Sequence, residues 1–296
     1  MTNRRTSLMG ARLQGFAFVA VGVAGIVAAR WLVGRPAAIG VAIGWWLIWL
    51  LRERVQCRQW TSRTRRERGI VFFAEAARWL CVRWSFVRVA RGLAAGGVDG
   101  SIELFRWSSG WRGFLAIPAL MSHALMRRRG RRLAEKIVRY QERHRDRPVD
   151  LVGYSSGAYV VLVALESLPD DVTVRTVGLL APTVWPQYDL TAALRHVSGR
   201  LIAVHSRGDW LINGLGPLLF GTADRWHRPA AGMVGFRRRP DDDVADRFVS
   251  VRHTWRFVRS GYLGDHFTVA SSGMARDRLA GWLTGDRIPE ANERPC

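Results

Sequence analysis

Residues 148–168 read PVDLVGYSSGAYVVLVALESL. Pro148-Val149-Asp150-Leu151-Val152 is a short apolar run between turn-forming residues, which predicts a buried strand. From Gly157 to Leu168, Ala158, Val161, Leu162 and Leu165 recur at i, i+3, i+4 and i+7, the spacing of one helix face. Between the two stands Gly153-Tyr154-Ser155-Ser156-Gly157, a G-x-S-x-G. Alone, this motif is short enough to arise by chance. Set between a strand and a helix, it predicts a sharp turn that lifts the Ser155 hydroxyl clear at the carboxyl end of a sheet. The small residues let the helix begin close to the strand.

The same alternation extends outward. Apolar runs at Gly69–Ala74, Ser101–Phe105, Pro148–Gly153, Val174–Leu180, Arg200–His205 and Phe248–Arg252 predict strands. The first is the least distinctive, because the segment to Leu80 suits a helix equally well. Helical periodicity fills Ser85–Ala95, Arg131–Arg145 and Gly157–Leu168. Strands that alternate with helices predict an α/β domain with a mostly parallel sheet covered on both faces.

A serine nucleophile needs a base, and the base needs an orienting acid. Asp209 follows the apolar strand Leu201–His205, and His266 lies in the glycine-containing loop Gly264-Asp265-His266-Phe267. Both lie beyond strands and in the chain order serine, acid, histidine. Asp189 and Asp224 are rival acids. His205 sits on a predicted strand, His227 and His253 lack an equally good loop context, and Asp265 reads as solvated.

On these residues, 69–285 resembles an α/β-hydrolase domain. The stretches "RPVDLVGYSSGAYVVLVALE", "RLIAVHSRGDWLI" and "GDHF" resemble its nucleophile, acid and histidine regions. The resemblance implies Ser155 as nucleophile, Asp209 as acid and His266 as base. It also implies an oxyanion hole from the backbone N–H of Ser156 and one near Glu75 or Ala76, with Ala76 as the expected donor. Two departures stand out. Many members carry a His-Gly pair after the early strand, where this chain has Phe73-Ala74-Glu75-Ala76-Ala77. The first two strands of the full fold also lack room if residues 1–68 serve another purpose.

Those 68 residues differ in character. Leu13–Ala29 and Pro36–Leu51 are apolar runs of 17 and 16 residues, and the first is broken only by Gln14. Arg flanks both runs, and Trp45, Trp46 and Trp49 crowd the far end. The expectation is a transmembrane helical hairpin over 1–68, followed by the hydrolase domain over 69–285 and a polar tail over 286–296. By the positive-inside rule the hydrolase domain faces the cytoplasm. A pair of buried helices or a cleaved signal peptide are the alternatives. The Arg-rich stretch 52–68 is expected to meet an anionic membrane surface.

The chain carries 296 residues and a net charge of +21, yet 44 of its 45 basic residues are Arg. Such a skew reads as Arg spread over solvated faces, and no nucleic-acid-binding motif accompanies it. Three Cys form no disulfide framework, and no metal or cofactor motif is present. The composite expectation is a membrane-tethered serine hydrolase acting on a small or lipid-like acyl substrate. The alternative is an inactive, hydrolase-like scaffold.

Overall fold

The computed structural model describes residues 23–28, 31, 35–62, 65–76, 85–108 and 122–287. The chain divides into two compact units, 1–56 and 57–296. The first unit contains helical residues 23–28 and most of helix α1, Arg35–Ser62.

The expected transmembrane helices require correction. Among the described residues, no helix is long and apolar enough to cross a membrane. Most of the run Leu13–Ala29 lies outside the described residues. The run Pro36–Leu51 lies within α1, and its 16 residues would span about 24 Å against roughly 30 Å of hydrocarbon. Arg35 closes it on one side, and Arg52, Glu53 and Arg54 close it on the other. The apolar stretch is therefore a segment of a longer, mixed helix.

The second unit is built on six parallel strands in the order β2-β1-β3-β4-β5-β6. They are β1 Ile70–Ala74, β2 Ser101–Phe105, β3 Val149–Tyr154, β4 Val174–Leu180, β5 Val197–His205 and β6 Phe248–Arg252. The central strands are buried on both faces, which fits their largely apolar sequences. Among the described residues no strand precedes β1.

Alternate residues face opposite layers. Ile70, Phe72 and Leu151 join one core with Met126, Leu133 and Ile137 of helix α3, His123–Arg143, and with helix α4, Gly157–Leu165. Val71, Phe73 and Val152 join the other core with Phe86, Val89 and Leu93 of helix α2, Phe86–Ala95, and with Leu279 and Leu283 near the carboxyl terminus. Helix α3 exposes Arg127, Arg128, Arg131 and Arg132 on its outer side.

Every residue of α4 is buried. It lies so close to β1 that a Cβ added at Gly157 would stand 2.6 Å from the Glu75 carbonyl oxygen. Backbone cannot move aside as a flexible side chain can. Gly157→Ala is therefore expected to lower stability by about 1–3 kcal/mol, read as a shift in the denaturant midpoint. An unchanged midpoint would contradict this packing.

Candidate active site

In the strand order, β2 and β3 lie on opposite sides of β1. The connections therefore diverge between the carboxyl ends of β1 and β3, which is where open parallel sheets place their ligand crevice. Ser155 follows β3 at this point, and Glu75 and Ala76 follow β1.

Ser155 has φ +56°, a left-handed conformation that costs a non-glycine residue energy. The end of β4 holds it there. The Ser155 N–H donates to the Leu180 carbonyl at 2.9 Å, and the Ser155 carbonyl accepts from Ala158 N–H at 3.0 Å and Thr183 N–H at 3.3 Å. The turn also needs space, since a Cβ at Gly153 would stand 2.6 Å from the Ala158 Cα. The glycines of the G-x-S-x-G thus answer two separate crowding constraints, one against α4 and one against β1.

The side chains then converge. His266 Nε2 lies 3.0 Å from Ser155 Oγ, and His266 Nδ1 lies 2.7 Å from Asp209 Oδ2. The three residues come from turns 111 and 57 positions apart in sequence. All three are buried, with 3–6% exposure. With Nδ1–H donating to the carboxylate, Nε2 presents its lone pair to the serine hydroxyl.

The histidine loop is fixed from several sides. Tyr154 Oη donates to the His266 carbonyl at 3.0 Å, and the two rings lie 5.3 Å apart. Burial pushes the Tyr154 phenol far above its usual range, so it remains a donor. Asp265 is half-buried beside the site. Its carboxylate accepts the N–H groups of Phe267 and Thr268 at 2.8 and 2.9 Å and closes the loop on itself. Burial works to raise the Asp265 pKa, but the Thr268 and Phe267 hydrogen bonds outweigh it, and the net shift is downward. The acid and histidine loops also touch, because a Cβ at Gly208 would lie 2.8 Å from the Gly264 carbonyl oxygen.

Neither rival acid reaches this cluster. Asp189 accepts from Thr191 N–H at 3.0 Å and pairs with Arg238 at 2.7 Å. Asp224 accepts from Trp185 N–H at 2.9 Å and Thr222 Oγ1 at 2.6 Å. His227 Nδ1 and His253 Nε2 meet the carbonyls of Leu218 and Tyr262, and His205 is buried at the end of β5.

For the expected oxyanion donors, Ser156 occupies the N-cap position of α4. Ala76 stands two residues past β1, and residues 77–84 lie outside the described ones. Glu75 anchors this corner: its carboxylate accepts Ser85 N–H and Ser85 Oγ at 2.8 Å, and its carbonyl accepts Trp107 Nε1–H at 2.5 Å. Trp107 is buried, and residues 109–121 lie outside the described ones.

Two residues at the site were not anticipated. Asn213 donates Nδ2–H to Asp209 Oδ2 at 2.6 Å and its backbone N–H to Asp209 Oδ1 at 3.2 Å. Thr183 Oγ1 donates to Asn213 Oδ1 at 2.8 Å and lies 3.1 Å from Ser155 Oγ. Asn213 is four positions past Asp209, a spacing that one helical turn brings back to the acid. Nothing in the local sequence marks Thr183.

Residues 115–223 match a family of proteins of unknown function, DUF726. The matched stretch contains Ser155, Thr183, Asp209 and Asn213, and His266 lies beyond it. No curated protein matches the chain.

Tyr154→Phe removes the hydroxyl that holds the His266 carbonyl and leaves the ring in place. It is expected to lower stability by about 1 kcal/mol and to speed amide exchange across residues 264–268. Unaltered exchange in that loop would show that Tyr154 does not fix it.

Proposed function

We propose that this chain is a serine hydrolase that cleaves an ester-type or related acyl substrate. The single observation that carries the reading is the buried contact chain from Ser155 Oγ to His266 Nε2 at 3.0 Å, and from His266 Nδ1 to Asp209 Oδ2 at 2.7 Å. In this reading Ser155 attacks the carbonyl carbon while His266 Nε2 accepts its proton. Asp209 holds the imidazole orientation and stabilises the imidazolium that forms. His266 returns the proton to the leaving group, and an acyl-enzyme on Ser155 remains. Water, deprotonated by His266, then cleaves that ester.

Negative charge on the substrate oxygen needs donors. The N-terminus of α4 supplies a favourable field directly beside Ser155. The Ser156 N–H and an N–H just past β1, assigned to Ala76, are the proposed donors.

The surroundings favour a lipophilic acyl group. Immediately after Asp209, Trp210, Leu211, Leu215, Leu218 and Leu219 expose apolar side chains, and Leu263 and Phe267 do so beside His266. Exposed apolar residues carried on the segments that follow Asp209 and flank His266 support a surface for an apolar ligand.

Reaction with a fluorophosphonate probe and turnover of an activated short-chain ester test the reading. The unchanged protein is expected to do both, and Ser155→Ala to do neither. Asp209→Asn is expected to keep the fold and lower kcat by roughly 10⁴-fold. Folded protein that neither reacts with the probe nor turns over an acyl ester would point instead to a hydrolase-like binding scaffold.

A further inference from the structure

The contacts around Asp209 do not end at His266; they return to the nucleophile. Ser155, His266, Asp209, Asn213 and Thr183 form a closed ring with successive contacts of 3.0, 2.7, 2.6, 2.8 and 3.1 Å. All five residues are buried.

Proton accounting fixes most of the directions in this ring. Asn213 Nδ2 has two hydrogens, and two oxygens face it: the Ala181 carbonyl at 3.1 Å and Asp209 Oδ2 at 2.6 Å. The amide is therefore held in one sense, with Oδ1 turned to Thr183. Thr183 has one hydroxyl proton and uses it on Oδ1 at 2.8 Å. It can offer Ser155 only a lone pair. The 3.3 Å approach of Asn213 Nδ2 to His266 Nδ1 is then a contact between two donors that share the oxygen Asp209 Oδ2.

We propose that Asn213 and Thr183 are positioning residues of the site, with Thr183 the lock that sets the Asn213 amide and confines the Ser155 hydroxyl. The proposal rests on the hydrolase reading. Asn213 presents side-chain and backbone N–H to the two oxygens of Asp209, so the carboxylate cannot turn away from His266 Nδ1. That fixes the tautomer with the Nε2 lone pair toward Ser155. The Ser155 hydroxyl has two acceptors at 3.0 and 3.1 Å, which restrict its rotation to the arc between His266 and Thr183. Thr183 also donates its backbone N–H to the Ser155 carbonyl at 3.3 Å, so one residue braces both the main chain and the side chain of the nucleophile.

The hydroxyl, not the bulk, of Thr183 does this. Thr183→Val keeps the shape but leaves Asn213 Oδ1 buried without a donor. It is expected to lower kcat and the rate of fluorophosphonate labelling about tenfold, the rate equivalent of one ordinary hydrogen bond. KM is expected to stay within about twofold, because the loss falls on the reacting groups and not on substrate binding. Thr183→Ser is expected to recover most of the loss. The downfield imidazole N–H resonance of His266 should be sharp in the unchanged protein and Thr183→Ser, and broadened in Thr183→Val.

Thr183→Val that turns over like the unchanged protein overturns the proposal, as does Thr183→Ser as slow as Thr183→Val. A measurement independent of variants is hydrogen exchange at the Asn213 side-chain amide in the unchanged protein. Slow exchange supports the ring, and exchange as fast as at an exposed amide overturns it. If the unchanged protein shows neither labelling nor turnover, the hydrolase reading fails. The resonance and the amide exchange then still decide whether Thr183 and Asn213 hold the His266–Asp209 pair.

Discussion

Ser155 keeps a left-handed backbone because the end of β4 and the loop that follows it bond both of its main-chain polar groups. Its N–H donates to Leu180, and its carbonyl accepts from Thr183. That conformation costs on the order of 1–3 kcal/mol for a residue with a side chain, and it persists because the turn is held on every side. Strand β3 enters it, α4 leaves it, β4 latches it, and the end of β1 crowds Gly157 from below. The position of the hydroxyl is thus a property of the whole sheet edge.

The remaining polar groups at the edge are fixed by the same economy of partners. His266 and Asp209 sit on loops in contact, and each loop is closed by its own hydrogen bonds: Asp265 closes one, and Asn213 closes the other. A buried polar cluster is costly when any member lacks a partner, and it rigidifies its surroundings when all are satisfied. Here the bonds run through successive strand ends, from β3 to β4 and from β5 to the loop after β6. A set of groups so far apart in sequence reaches hydrogen-bond distance only because parallel strands deliver all their carboxyl ends to one side.

Much of this could be read from residues alone, and the reasons are local. Five of the six strand segments were legible as short apolar runs, and the first suited a helix equally well; β3 starts at Val149 and ends at Tyr154 within a residue of the expected bounds. The turn at Ser155 was legible because strand, glycines and helix follow one another in one short stretch of sequence, although the crowding of Gly157 by the end of β1 shows only in the fold. Thr183 and Asn213 were not legible, since a threonine after a strand and an asparagine in a short helical turn have many ordinary uses. Only the fold shows them facing one another across 30 residues of sequence. The N-terminal segment misled for a different reason. Apolar composition was legible over Pro36–Leu51, but its continuation through Arg52–Ser62 in the same helix depends on backbone continuity, which an apolar run does not reveal.

The central claim is that Ser155 Oγ is the atom that carries the acyl group. Quenching the protein in acid during turnover of an activated acyl ester, followed by tandem mass spectrometry, tests it directly. The account predicts the added mass of the acyl group on the peptide containing Ser155, at the Ser155 hydroxyl and not at Ser156, with accumulation when deacylation is slow. Turnover with no acyl group on Ser155 under those conditions, or with the label at another residue, would contradict it.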